Sequence, residues 1–106
     1  MGVILLESFT MGVIRIIQEI PESKVMTYGQ IARCAGNPRA ARQVVRILHS
    51  MSEKYNLPWH RVINAKGELG IGNPDLLAVQ VFALEREGIT ITGGNQVNLK
   101  RYQYIP

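Results

Sequence analysis

The side chains that could do chemistry cluster around Pro58-Trp59-His60-Arg61-Val62, which holds the only tryptophan of the 106-residue chain. An indole offers a flat apolar surface and one N–H donor, but no nucleophile at neutral pH. The only cysteine, Cys34, is far along the chain from that stretch. It cannot form an internal disulfide and reads as a small buried apolar residue. No cluster of thiolate ligands is present, so neither a metal nor a cofactor is expected. The run Gly67-Glu68-Leu69-Gly70-Ile71-Gly72 is not G-x-G-x-x-G. No strand feeds a helix from it and no lysine follows, which discounts a nucleotide cradle.

Charge is the stronger signal. The formal net charge is +4. Residues 24–66 carry eight bases (Lys24, Arg33, Arg39, Arg42, Arg46, Lys54, Arg61 and Lys66) against the single acid Glu53, a net +7 that leaves −3 for the rest. Concentration of this kind points to a polyanion, nucleic acid first, with an accidental basic face as the alternative.

The elements that must position these residues follow from periodicity. Phe9, Val13, Ile16, Ile17 and Ile20 share one helical face, closed by Pro21. Thr27-Tyr28-Gly29-Gln30 fits a capping box opening a short helix that ends near Gly36. Asn37 as N-cap and Pro38 at the first helical position predict the start of the next helix. Ala41, Val44, Val45 and Leu48 should face the core there, with Arg39, Arg42, Gln43 and Arg46 outside. Two short helices about a tight turn, the second bearing arginines, describe a helix-turn-helix. Ala40 and Ala41 would let its backbone sit deep in a groove. Asn73-Pro74 opens a further helix with Leu77, Val81 and Leu84 inward, closed at Glu87-Gly88, and residues 89–106 read as a short hairpin or extended tail turning at Gly93-Gly94. The expected fold is mainly α: one small winged-helix-like domain over residues 1–106 with a helix-turn-helix and short β elements near the C-terminus. The apolar residues 3–6 and 11–20 are interrupted by Glu7, Arg15 and Glu19, so neither a membrane span nor a secretory signal is expected.

Three segments in order, Val25-Met26-Thr27-Tyr28-Gly29-Gln30-Ile31-Ala32, Asn37-Pro38-Arg39-Ala40-Ala41-Arg42-Gln43-Val44 and Pro58-Trp59-His60-Arg61-Val62-Ile63-Asn64, resemble the DNA-binding domain of O6-alkylguanine-DNA alkyltransferases. The resemblance runs from about Ile14 to Tyr102. Those enzymes carry Pro-Cys-His-Arg, whose thiolate takes the alkyl group. Trp59 stands there instead, the pattern of the alkyltransferase-like proteins, which bind O6-alkylguanine without repairing it and hand the site to nucleotide excision repair. The resemblance therefore implies a binding protein, not an enzyme.

By the same resemblance Arg42 is the finger that replaces the swung-out nucleotide through the minor groove, and Tyr28 presses on the backbone phosphate. Gln30, Asn37, Arg39, Ala40, Ala41, Gln43 and Arg46 would complete the DNA-facing surface. Tyr28, Arg42, Trp59, Val62 and Ala65 would line the lesion pocket, with the loop 67–73 as one wall. His60 and Glu87 match the relay that activates the thiol and, with no thiol, remain as a structural pair. Arg61 could brace the pocket or reach a phosphate. Met51 replaces a hinge asparagine, and Gly72 stands where some relatives carry a base-reading arginine. The implied partners are duplex DNA containing alkylated guanine and nucleotide excision repair proteins. The protein is expected to be a cytoplasmic, DNA-associated monomer that does not bind membranes. Two rivals stay open: an enzyme using His60 and Glu87 on a nucleobase, and a helix-turn-helix regulator without lesion specificity.

Overall fold

Ser8 opens the first helix by accepting the Met11 N–H at 3.1 Å, and α1 (Phe9–Gln18) buries Val13, Ile14, Ile16 and Ile17. Burying each such side chain contributes roughly 1.5–3 kcal/mol. The opposite face keeps Arg15 in exposed pairs with Glu7 and Glu19. The computed structural model describes residues 7–106, so the apolar residues 3–6 lie outside the described residues. No helix among the described residues is long and apolar enough to cross a membrane.

After the turn at Pro21, β1 (Met26–Thr27) leads directly into α2 (Tyr28–Cys34). The capping box forms as the sequence predicts: Thr27 Oγ1 accepts the Gln30 N–H at 3.1 Å and Gln30 Oε1 accepts the Thr27 N–H at 3.2 Å. Asn37, however, does not cap the next helix. Its carbonyl accepts from Ala40 N and its Oδ1 from Arg39 N, so Asn37-Pro38-Arg39 forms a turn. The helix α3 (Ala41–Tyr55) starts after Ala40, which has no side-chain cap bond. The longer turn carries Ala40 into the core, 8% exposed, where it packs with α1 and α2 residues rather than facing a groove. Gly36 permits this turn with φ +98°.

Within α3 the core face is Val44, Ile47 and Leu48. Val45, expected inward, is 42% exposed, because the burial stripe centres on Val44 and Ile47. Met51 packs partly buried against the same cluster, an apolar contact where a hinge amide was the comparison.

A single 3-10 turn, Trp59–Arg61, then delivers the chain into β2 (Val62–Ile63), which pairs in parallel with β1, Met26 beside Val62 and Thr27 beside Ile63. This contact is long-range in sequence, and it fixes Tyr28 and Trp59 relative to each other. A second cluster of Val25, Ile63, Leu69, Leu84, Ile89, Val97 and Tyr102 seats α4 (Pro74–Arg86). Asn73 caps α4 and Pro74 begins it, as the sequence predicts. The hairpin of β3 (Ile91–Thr92) and β4 (Gln96–Val97) is also present. The sequence reading missed the one-turn helix α5 (Leu99–Tyr102) and the docking of the tail, where Val25 N donates to Tyr102 O and Tyr104 N to Val25 O. The architecture is mainly helical with short strands.

Gly67 joins the two halves of the loop wall to the hairpin. Its φ is +78° and an added Cβ would stand 2.6 Å from the Val97 carbonyl oxygen, while its own carbonyl accepts the Val97 N–H. Gly67→Ala is expected to cost about 2–3 kcal/mol in urea unfolding, from backbone strain plus the clash. Gly36→Ala, at similar φ but with no atom within 4 Å, should cost only about 1 kcal/mol. Equal losses would show that the Val97 contact contributes nothing.

Candidate nucleic-acid interface

The Trp59 turn is held from behind by a carboxylate. Glu87 Oε2 lies 2.7 Å from His60 Nε2 and 2.7 Å from an Arg61 terminal nitrogen, and Arg61 Nε donates to both carboxylate oxygens at 3.0 and 3.1 Å. Arg61 also donates to the Ile20 carbonyl at 2.8 Å. Ser23, at φ +70°, donates its N–H to Glu87 Oε1 at 3.1 Å and its hydroxyl to the Glu87 carbonyl. From α4, Gln80 donates to the His60 carbonyl at 3.1 Å. The Glu87 and Arg61 side chains are only 11% and 14% exposed.

Burial alone would raise the Glu87 pKa, but hydrogen bonds from Arg61, His60 and the Ser23 N–H outweigh it and hold the carboxyl at about 2. His60 and Glu87 are thus joined by a hydrogen bond, the pairing that the resemblance implies. Arg61 braces the turn through Glu87 and Ile20, with its guanidinium turned inward.

In front of this brace lies a cavity of about 820 Å³, lined by Tyr28 from the start of α2, Trp59, the turn Gly70–Asn73, Leu76 of α4, and Val45, Leu48, His49, Ser52 and Glu53 of α3. Trp59 is half-buried against the first core cluster, with its ring edge-on to His60 at 6.4 Å. Tyr28 is also half-buried, and burial pushes its phenol pKa up, so the hydroxyl stays protonated and can donate. The size falls in the range that can enclose a base-sized ligand.

Of the residues assigned to this pocket from sequence, Tyr28, Trp59 and the second half of the loop are brought together. Val62 is not: it is 1% exposed inside the core, because its pairing with Met26 turns it away. Ala65 is exposed and outside the cavity lining. Arg42 does not line it either, standing exposed about two turns N-terminal to His49 on α3. Gln30 is 4% exposed, with its side chain bound to Thr27, Gln103 and the Tyr104 carbonyl; it ties the tail down and has no free edge for DNA. Ala41 is half-buried. Asn37, Arg39, Gln43 and Arg46 are exposed, and no ion pair occupies Arg39, Arg42 or Arg46 among the described residues.

The sequence reading missed the C-terminal half of α3. Val45, Leu48, His49, Ser52 and Glu53 follow i, i+3, i+4, i+7, i+8 spacing, a second stripe beside the core stripe. The sequence carries that spacing, but helical periodicity alone also puts Val45 on the core side. Cys34, expected buried, is exposed and lines a separate cleft with α1 and the C-terminal tail. It sits in the last turn of α2, whose buried side is completed by Ile31 and Ala32.

Fold and site together define a helix-turn-helix domain that presents free arginines beside a tryptophan-walled cavity. Residues 8–89 match the family model of the 6-O-methylguanine DNA methyltransferase DNA-binding domain. The chain is 45% identical over 98 residues to the DNA base-flipping protein of Escherichia coli K12, covering 92% of this chain and 75% of that one. It is 38% identical to alkyltransferase-like protein 1 of Schizosaccharomyces pombe, covering 95% and 98%. The crystal structure of S. pombe Atl1 in complex with damaged DNA containing O6-carboxymethylguanine matches with TM-score 0.82 at 35% identity, over 97% of this chain and all of that one. The chain belongs to the alkyltransferase-like, DNA base-flipping branch of this methyltransferase DNA-binding family.

Proposed function

We propose that this protein binds O6-alkylguanine in duplex DNA, turns the nucleotide out into the Tyr28–Trp59 cavity, holds it there without transferring the alkyl group, and leaves it for nucleotide excision repair. The observation that carries this reading is that the cavity wall is an indole and the chain's one thiol is elsewhere: Trp59 lines the cavity and Cys34 lines a different cleft. Direct alkyl transfer needs a thiolate in line with the O6-alkyl carbon, and no residue lining this cavity is a cysteine.

The chain's own groups support each stage. Exposed Arg39, Arg42 and Arg46 neutralise phosphates and release counterions. Turning a nucleotide out costs a few kcal/mol of stacking and pairing, less for a lesion whose pairing is already weakened. Arg42 fills the vacated place with a planar, multiply donating guanidinium. Tyr28 keeps its proton for a phosphate oxygen, and Trp59 stacks on or edges against the base. Val45, Leu48, Ile71 and Leu76 give the alkyl group an apolar wall.

The deciding experiment titrates the protein with an O6-methylguanine duplex and its unmodified match, following Trp59 fluorescence. A lesion-dependent spectral change and at least about tenfold tighter binding are expected, with the adduct mass unchanged after prolonged incubation with excess protein. Equal affinities would leave a helix-turn-helix protein without lesion specificity, and a lost methyl group would make it an enzyme.

A further inference from the structure

The cavity has a charge inventory at odds with its surroundings. Residues 24–66 hold eight Lys and Arg side chains and one acid, yet the acid, Glu53, lines the cavity and none of the bases does. The turn Gly70–Asn73 adds no charge, and Glu53 makes no ion pair among the described residues. Two aromatic rings, Tyr28 and Trp59, share that lining.

Aromatic faces and an unpaired carboxylate attract the same kind of ligand. The ring quadrupole draws a cation, and the draw grows as water is excluded. We infer that the cavity also accepts alkylated bases that carry a formal positive charge, with N7-alkylguanine the best fit. Alkylation at N7 puts the charge on the ring while leaving N1–H and the exocyclic amine on one edge. A carboxylate accepts both of those hydrogens side by side, and the ring's charge strengthens both bonds. Neutral O6-alkylguanine lacks N1–H and offers the same carboxylate only the amine. Glu53 is therefore assigned to charge selection and the apolar wall to alkyl accommodation. This inference rests on the reading that an extruded base enters the cavity.

The test uses three duplexes differing at one nucleotide: guanine, O6-methylguanine, and 7-methylguanine on a 2′-fluoro sugar that prevents depurination. Titrations follow Trp59 fluorescence at about pH 6, where 7-methylguanine keeps its N1–H and its formal positive charge. The 7-methylguanine duplex is expected to bind about tenfold tighter than guanine, with the ratio shrinking as salt rises. Glu53→Gln should weaken 7-methylguanine binding about tenfold more than it weakens O6-methylguanine binding. Guanine and 7-methylguanine binding alike, with the O6-methylguanine preference intact, would overturn the inference and leave the proposed function standing. A 7-methylguanine preference that survives Glu53→Gln would overturn the assignment to Glu53. Loss of preference for both lesions in the unmodified protein would instead defeat the underlying reading. Glu53 is exposed, and Glu53→Asp, which keeps the charge, should retain more of the 7-methylguanine preference than Glu53→Gln.

Discussion

Replacing Glu87 with alanine should remove roughly 3 kcal/mol of folding stability, measured by urea unfolding at neutral pH. The expectation follows from what is left behind. Arg61, 14% exposed, would keep only the Ile20 carbonyl as a partner, and breaking a buried pair on one side typically costs about 3–5 kcal/mol. The lower end applies because the cluster is partly accessible to water. The backbone turn at Ser23 would also lose both of its contacts to Glu87, and a non-glycine residue at positive φ persists only where its surroundings hold it.

Acid dependence gives an independent check. Glu87 has a folded pKa near 2 against an ordinary 4.5. A depressed carboxylate contributes its full stabilisation above the unfolded value and loses it as pH falls through the folded one. The unmodified protein should therefore lose this contribution between about pH 4.5 and 2, and Glu87→Ala should show a shallower loss over that window. Parallel pH profiles for the two proteins would mean that the cluster contributes nothing through its charge. Because Glu87 anchors His60 and Arg61 in the same 3-10 turn as Trp59, the variant should also broaden and shift the tryptophan emission.

Local signals were legible in the sequence where one short segment decides the structure. The Thr27–Gln30 box, the Asn73-Pro74 start and the Gly88 stop of α4 are each settled within a few residues, and all three form. The start of α3 is not legible locally: Asn37-Pro38 is an adequate cap by sequence, while the helix begins after Ala40, which is buried in the cluster shared with α1 and α2, a contact no local pattern contains. Gln30 misled for a similar reason. Its place in the capping box was plain, but its remaining hydrogen bonds go to the tail more than seventy residues away. The resemblance implies Val62 and Ala65 in the pocket, whereas the pairing of β1 with β2 buries Val62 beside Met26 and Ala65 stands exposed beyond the strand. Tyr28, Trp59 and His60 are legible because they fall inside the three ordered motifs, and Glu87 is reached only through the family resemblance, since it lies outside all three. The α3 wall with Glu53 is not legible, since it requires knowing how α3 leans over the turn at Gly70–Asn73.

Arg42→Ala should reduce affinity for the O6-methylguanine duplex about thirtyfold while changing affinity for unmodified duplex only severalfold. Arg46→Ala provides the contrast. Both side chains are exposed on α3, without an ion pair among the described residues, so simple phosphate contacts would make the two variants behave alike. Each would then lower binding uniformly across duplexes and reduce the salt slope by about one ion. A finger behaves differently. Its guanidinium is worth most only once the base has left, because it replaces the stacking and hydrogen bonds that the duplex gives up. Removing it therefore shifts the equilibrium between stacked and extruded nucleotide, which a fluorescent base analogue beside the lesion reports directly. Arg42→Ala should abolish most of that signal at saturating protein, and Arg46→Ala should keep it. Arg42→Lys separates charge from shape, since an ammonium retains the phosphate attraction but cannot stack as a plane; its extrusion signal should resemble that of Arg42→Ala. If Arg42→Ala and Arg46→Ala instead lose affinity equally for damaged and undamaged DNA, with the extrusion signal intact in both, Arg42 is a phosphate contact and the nucleotide is displaced by another group.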